Sequence, residues 1–269
     1  MRRPGAASLL LAGIGLSLSV ASHADAEDVE LFPELSVDLI AARYAPADAQ
    51  FQWSGWIGAG AGVVRVGRVT LAGTADVETI IGDERRAFDA NQANYHLAFG
   101  LRISAGTVVV YPVLHHESRH LVDRPKTQAV DWNLLGVRVE GPFPRGLPGS
   151  FQLGAGHTVQ KSYVDYEWEF LAAAHVPAVQ WSHGELFVEA EARFVTTTNQ
   201  APYFRDGFAD FTGAAGVRLR RDGRTLDLFA AYEHRNDVFL LVPDVRDRAL
   251  FAFRIGLGRW WDVAAARSH

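Results

Sequence analysis

Glu185-Leu186-Phe187-Val188-Glu189-Ala190-Glu191-Ala192-Arg193-Phe194-Val195-Thr196 decides the fold of this 269-residue chain. Successive side chains of an extended strand point to opposite faces. Leu186, Val188, Ala190, Ala192 and Phe194 therefore share one face, and Glu185, Glu189, Glu191 and Arg193 share the other. One face suits lipid or a dry core; the other carries charge. The same alternation sets Tyr95, Leu97, Phe99 and Leu101 against His96 and Arg102, and Phe251, Phe253, Ile255 and Leu257 against Arg254. It also sets Tyr166, Trp168 and Phe170 against Glu167 and Glu169.

Working outward and breaking the chain at turn signals predicts twelve strands. They fall near 33–44, 51–64, 67–81, 91–104, 107–119, 128–140, 150–161, 166–177, 184–197, 208–220, 224–236 and 247–261. Val66-Gly67, Ala105-Gly106 and Asp222-Gly223 mark tight turns, whereas 83–90, 120–127, 198–207 and 237–246 read as longer polar loops. The stretches 141–149 and 177–183 read as longer turns on the tight-turn side. Short turns at one end and long loops at the other, on an even strand count, describe an all-β, single antiparallel up-and-down transmembrane β-barrel with both termini on the periplasmic side.

The N-terminal residues agree with export. Arg2 and Arg3, an apolar run from Leu9 to Val20 and the small-x-small pattern Ala24-Asp25-Ala26 predict a signal peptide over 1–26 and a barrel domain over 27–269. Without the signal the chain has 24 basic and 30 acidic residues, a formal charge of −6, which argues against nucleic acid as a partner. The absence of cysteine excludes disulfides, thiol catalysis and Cys-ligated metals. A soluble β-sandwich would also alternate, but it would normally show many lysines on its polar face, and only Lys126 and Lys161 occur. The expected address is the outer membrane of a Gram-negative-type bacterium, with its lipids and the barrel assembly machinery as partners; the oligomeric state stays open.

Aromatic residues near strand ends predict two interfacial girdles. Tyr44, Phe51, Trp53, Tyr95, Trp132, Tyr163, Tyr166, Trp168 and Phe208 fall on one side, and Phe143, Phe151, Trp181, Trp260 and Trp261 on the other. The last strand, ending in Trp260-Trp261, resembles the aromatic-terminated final strand that barrel assembly machinery recognises, with about eight residues following it. Asp76, Glu78, Arg102, Glu167, Glu169, Glu189, Glu191, Arg193, Arg218, Asp227, Glu233 and Arg254 are expected to pair across a narrow, porin-like lumen. On that reading the protein is structural or passes a small solute.

One segment concentrates chemistry. Leu114-His115-His116-Glu117-Ser118-Arg119-His120-Leu121-Val122-Asp123 holds three of the ten histidines at the loop end of the fifth strand. His116 and Ser118 share a face, roughly 7 Å apart at Cβ, so an imidazole can serve as base to a serine hydroxyl. A third group must orient that base, and Asp131-Trp132-Asn133 opens the next strand at the same end. The pair faces lipid if Val108, Val110, Pro112 and Leu114 do; Val109, Tyr111 and Val113 allow the opposite assignment. A divalent metal on His115, His116, His120, Glu117 and Asp123 is a second reading, and a polar rim cluster without chemistry is a third.

An H-x-S pair late in a barrel strand, with a polar orienting residue one loop later, resembles outer-membrane phospholipase A, itself twelve-stranded, and more loosely the lipid A deacylases. The resemblance implies Ser118 as nucleophile, His116 as general base and Asn133 or Asp131 as orienter, acting on a lipid ester of the outer leaflet. It also implies calcium as cofactor and a dimer, whereas nothing else in the chain calls for a cofactor. The chain departs from the family pattern, carrying Arg119 and His120 where Asn and a small residue usually follow the serine. The string H-x-S-x-H-L-x-D also resembles a motif of an uncharacterised outer-membrane barrel family.

Overall fold

A computed structural model describes residues 29–125, 128–200, 203–239 and 244–258. The expected signal peptide, Lys126, Trp260 and Trp261 lie outside the described residues. Twelve antiparallel strands follow one another: β1 (Val29–Ala45), β2 (Trp53–Val66), β3 (Val69–Gly82), β4 (Asp89–Ala105), β5 (Val108–Leu121) and β6 (Val130–Pro142) form the first half. The second half is β7 (Ser150–Ser162), β8 (Tyr166–Trp181), β9 (Gly184–Thr197), β10 (Gly207–Arg221), β11 (Arg224–Asn236) and β12 (Val245–Leu257). Each strand pairs with its sequence neighbours, and β1 also pairs with β12, so the sheet closes and has no edge.

Turn chemistry fixes the register at one end. Arg221 pairs with Arg224 across a two-residue turn in which Asp222 (φ 50°) and Gly223 (φ 74°) are both left-handed. That is the turn whose twist matches a β-hairpin, and the Asp-Gly sequence supplies it at little steric cost. The stretch 177–183 is not a long turn, as the sequence suggested. β8 runs to Trp181, which pairs with Gly184, and the irregularity is a bulge between Pro177 and Val179. A bulge accommodates an extra residue inside a strand where sequence spacing reads a break.

The wall is inside-out relative to a soluble protein. Among the described residues, twenty-nine buried polar or charged side chains outnumber twenty-two buried apolar ones, while forty large apolar side chains are exposed. Leu97, Phe99, Leu114, Leu135, Val188, Phe194, Leu228 and Phe251 belong to that exposed set. Soluble monomers rarely leave contiguous apolar patches beyond a few hundred Å².

Two expectations change here. Tyr44, Phe51, Trp132, Tyr166 and Phe208 are not girdle residues; all are buried within the barrel, where they pack in two apolar clusters near the loop end. Tyr95, Trp168 and Trp181 do face outward. Glu167 is not a lumen charge. Tyr166 pairs with Thr197 and Trp168 with Thr196, so Glu167 is the extra residue of a bulge that sends Tyr166 inward and Trp168 outward.

Candidate functional site

The parity of β5 places its two chemistries on opposite surfaces. Val113, His115, Glu117 and Arg119 are buried inside the barrel, so Leu114, His116, Ser118 and His120 stand on the outer wall. His115 therefore cannot join His116 around one ion, and its ring stacks on His96 instead, with centroids 6.0 Å apart. Among the described residues no three His, Asp or Glu side chains converge as a metal site.

Register then brings neighbours to the outward row. Ser118 lies opposite Tyr95 of β4 and Asp131 of β6, and His116 lies opposite Leu97 and Asn133. His116 Nδ1 is 2.8 Å from Asn133 Oδ1. An amide oxygen only accepts, so Nδ1–H donates and Nε2 is left with its lone pair. Asn133 Nδ2 donates in turn to Gln160 Oε1 (2.6 Å), and Gln160 Nε2 donates to Asp131 Oδ1 (3.0 Å). The second amide fixes the first amide's orientation, and with it the tautomer of His116.

Of the two candidate orienters, then, Asn133 touches the imidazole and Asp131 anchors the far end of the chain. The Ser118 hydroxyl meets His120 Nε2 at 3.3 Å rather than His116, and the His120 ring stands edge-on to Tyr95, centroids 5.3 Å apart at 83°. Gln160 and the contact of His120 with Ser118 were not anticipated. Gln160 reaches the site because β7 is irregular opposite Asn133 and Leu134, which pair with Gln160 and Thr158. No residue type in β7 signals that irregularity. His120 sits at i+2 from Ser118, so the alternation already on view would have found it.

The donor set around Ser118 does not fit calcium, which takes six to eight oxygen ligands. Its neighbours are two imidazoles, a phenol and the single carboxylate of Asp131, itself accepting from Gln160.

Inside the barrel most of the buried charges pair, Glu191 and Glu233 being exceptions among the described residues. Arg235 donates to both oxygens of Glu78 (2.8 and 2.9 Å), Arg193 lies between Glu169 (2.7 Å) and Asp210 (3.0 Å), and Arg102 meets Glu140 at 2.6 Å. Nearer the tight-turn end, Arg218 and Arg254 share Glu189 and Asp227, and His175 lies between Glu185 (2.9 Å) and Glu189 (3.1 Å). At the loop end the first residues after β11, Asp237 and Val238, turn into the mouth. Asp237 takes the Tyr166 hydroxyl (2.8 Å) and Arg205, its backbone oxygen takes Arg119 (2.6 Å), and Val238 is buried beside Tyr44 and Leu250. Half-burial opposes the charge on Arg205, yet hydrogen bonds to Asp237 and Asp165 hold its guanidinium above its ordinary range.

No family model and no curated protein matches this chain. Among solved structures it is similar to the translocator domain of the autotransporter NalP from Neisseria meningitidis. The identity is 12%, over 84% of this chain and 86% of that one, with a TM-score of 0.36. The closed barrel stands on its own ladder of twelve paired strands.

Proposed function

We propose that this chain is an integral outer-membrane barrel whose lumen is closed by ion pairs and whose outer wall hydrolyses acyl esters of outer-leaflet lipids. The apolar outer wall supports the membrane location, because a closed barrel leaves no backbone group unpaired in hydrocarbon. One observation carries the reaction: on that lipid-facing wall, Asn133 holds His116 with Nε2 free, two residues before a serine on the same face. Polar groups are costly on a lipid-facing surface, and in this reading those near the loop end meet the ester linkages of the outer leaflet.

In this reading Ser118 Oγ leaves His120 by rotation about its side chain, loses its proton to His116 Nε2 and attacks the ester carbonyl. The lipid alcohol departs with that proton, and water then releases the fatty acid from the acyl-serine by the same base. Leu97, Leu114 and Leu135, exposed beside the site, offer an apolar bed for the acyl chain.

The test is fatty-acid release from phospholipid and lipid A by the purified, folded protein. Ser118→Ala is expected to lower the rate by at least about 10³-fold, and a fluorophosphonate should label Ser118 in the parent protein alone. Equal rates in the two proteins, or no release by either, sink the proposal.

A further inference from the structure

The barrel lumen holds a cavity of about 90 Å³ between β1–β3 and β9–β12. On the same measure one water needs roughly 10–15 Å³, so the space takes several heavy atoms. Its wall is mainly apolar, including Ala42, Tyr44, Trp56, Ala231, Leu250 and Ala252. Three carboxylates reach it, and they are not equivalent. Glu78 is taken by Arg235 and by Asn94 (2.6 Å), and Glu189 by Arg254, Arg218 and His175.

Glu233 differs. It is 5% exposed, lines the cavity, and makes no hydrogen bond or ion pair with another described residue. Arg248, directly across the β11–β12 ladder, is turned to the mouth, where it meets Asp48 at 3.2 Å and lies 4.0 Å from the Phe51 ring centroid. Arg235, two residues along the strand, is spent on Glu78. A buried carboxylate without a partner is costly, and the arrangement persists most readily if a cation supplies one.

We propose that this chamber binds a small primary alkylammonium ion. The ammonium would donate to Glu233 and to Thr212, the cross-strand neighbour of Glu233 that also lines the cavity. The alkyl group would lie on the alanines and Leu250, with the Tyr44, Trp56 and Phe229 rings adding the attraction of aromatic faces for a cation. Arg254 also lines the cavity but is neutralised by Glu189 and Asp227, so Glu233 is the uncompensated charge and repels an anion. A calcium or magnesium ion finds one uncommitted carboxylate where it needs about six or more oxygens. The site is independent of the outer-wall chemistry.

The experiment titrates propylammonium into the purified full chain, folded in detergent micelles, by calorimetry, with 1-propanol as the neutral analogue of similar shape. One propylammonium per barrel is expected, with a dissociation constant of about 1 mM or below, and no binding of 1-propanol. Glu233→Gln should weaken binding at least about tenfold, and Ala231→Leu, which fills the cavity but keeps the carboxylate, should abolish it. No binding by the parent protein up to about 10 mM overturns the proposal whether or not the variants fold. So does equal affinity in Glu233→Gln, or binding of 1-propanol as tight as that of propylammonium. Lipid hydrolysis measured in Glu233→Gln should stay at the parental rate, so failure here and failure of the outer-wall reading are separate results.

Discussion

Asn133 sets which nitrogen of His116 carries the proton. By accepting from Nδ1 it leaves the Nε2 lone pair available, as the proposed reaction requires, and Gln160 prevents the amide from turning over, since Asn133 must present its NH₂ to Gln160 Oε1. Asn133→Ala should therefore leave binding of lipid nearly intact and lower turnover by about 10²-fold. The pH–rate profile should also shift, because the imidazole loses its fixed tautomer. A change in KM alone, with turnover unaltered, would assign Asn133 to binding instead. Ser118, His116, Asn133 and Asp131 were all readable as candidates from spacing. Which partner each one touches was not, because Gln160 arrives through an irregularity in β7 that no side-chain pattern marks.

At the scale of single elements, alternation located the strands well because the two faces of the wall differ so sharply: apolar side chains outside, polar and charged ones inside. β5 shows the limit of that signal. Val108 to Leu114 is apolar on both faces, so its parity follows only from the ladder, which buries Tyr111 and Val113 and turns Leu114 outward. The β1–β2 loop gives a prediction of its own. Partial burial raises the Asp48 carboxyl, but backbone N–H groups of Phe51 (2.8 Å) and Gln50 (2.9 Å), with Arg246 and Arg248 nearby, hold it below the usual carboxylate range. A carboxylate with a lowered folded-state value stabilises the fold above its unfolded value and loses that contribution as pH falls toward the folded value. Amide exchange at Gln50 and Phe51, taken relative to the intrinsic rate at each pH, should thus be unchanged from neutral pH down to about pH 4 and accelerate relative to the β1 core below it. Uniform acceleration of both regions would contradict a local role for Asp48.

Across the whole molecule, ion pairs tie distant strands. Arg235 of β11 and Glu78 of β3 lie four strands apart around the wall and 157 residues apart in sequence. Glu78→Gln would leave a buried guanidinium uncompensated and should cost about 3–5 kcal/mol in urea unfolding from micelles; a loss below about 1 kcal/mol would mean that the lumen rearranges to pair Arg235 elsewhere. With its lumen crossed by such pairs and its mouth filled by Asp237 and Val238, the barrel should show no steady single-channel current in planar bilayers. Sustained conductance would reinstate the solute-passing reading. The sequence by itself determined the all-β class, the twelve strands and the segment holding the histidines and serine, because a two-residue period and turn chemistry are local properties. Tertiary structure alone decided that Tyr44, Phe51, Trp132, Tyr166 and Phe208 turn inward, that Asn133 and not Asp131 holds His116, and that Glu233 stands unpaired over a cavity. Those outcomes depend on bulges, on register between neighbouring strands and on closure of the sheet, which set side chains far apart in sequence against one another.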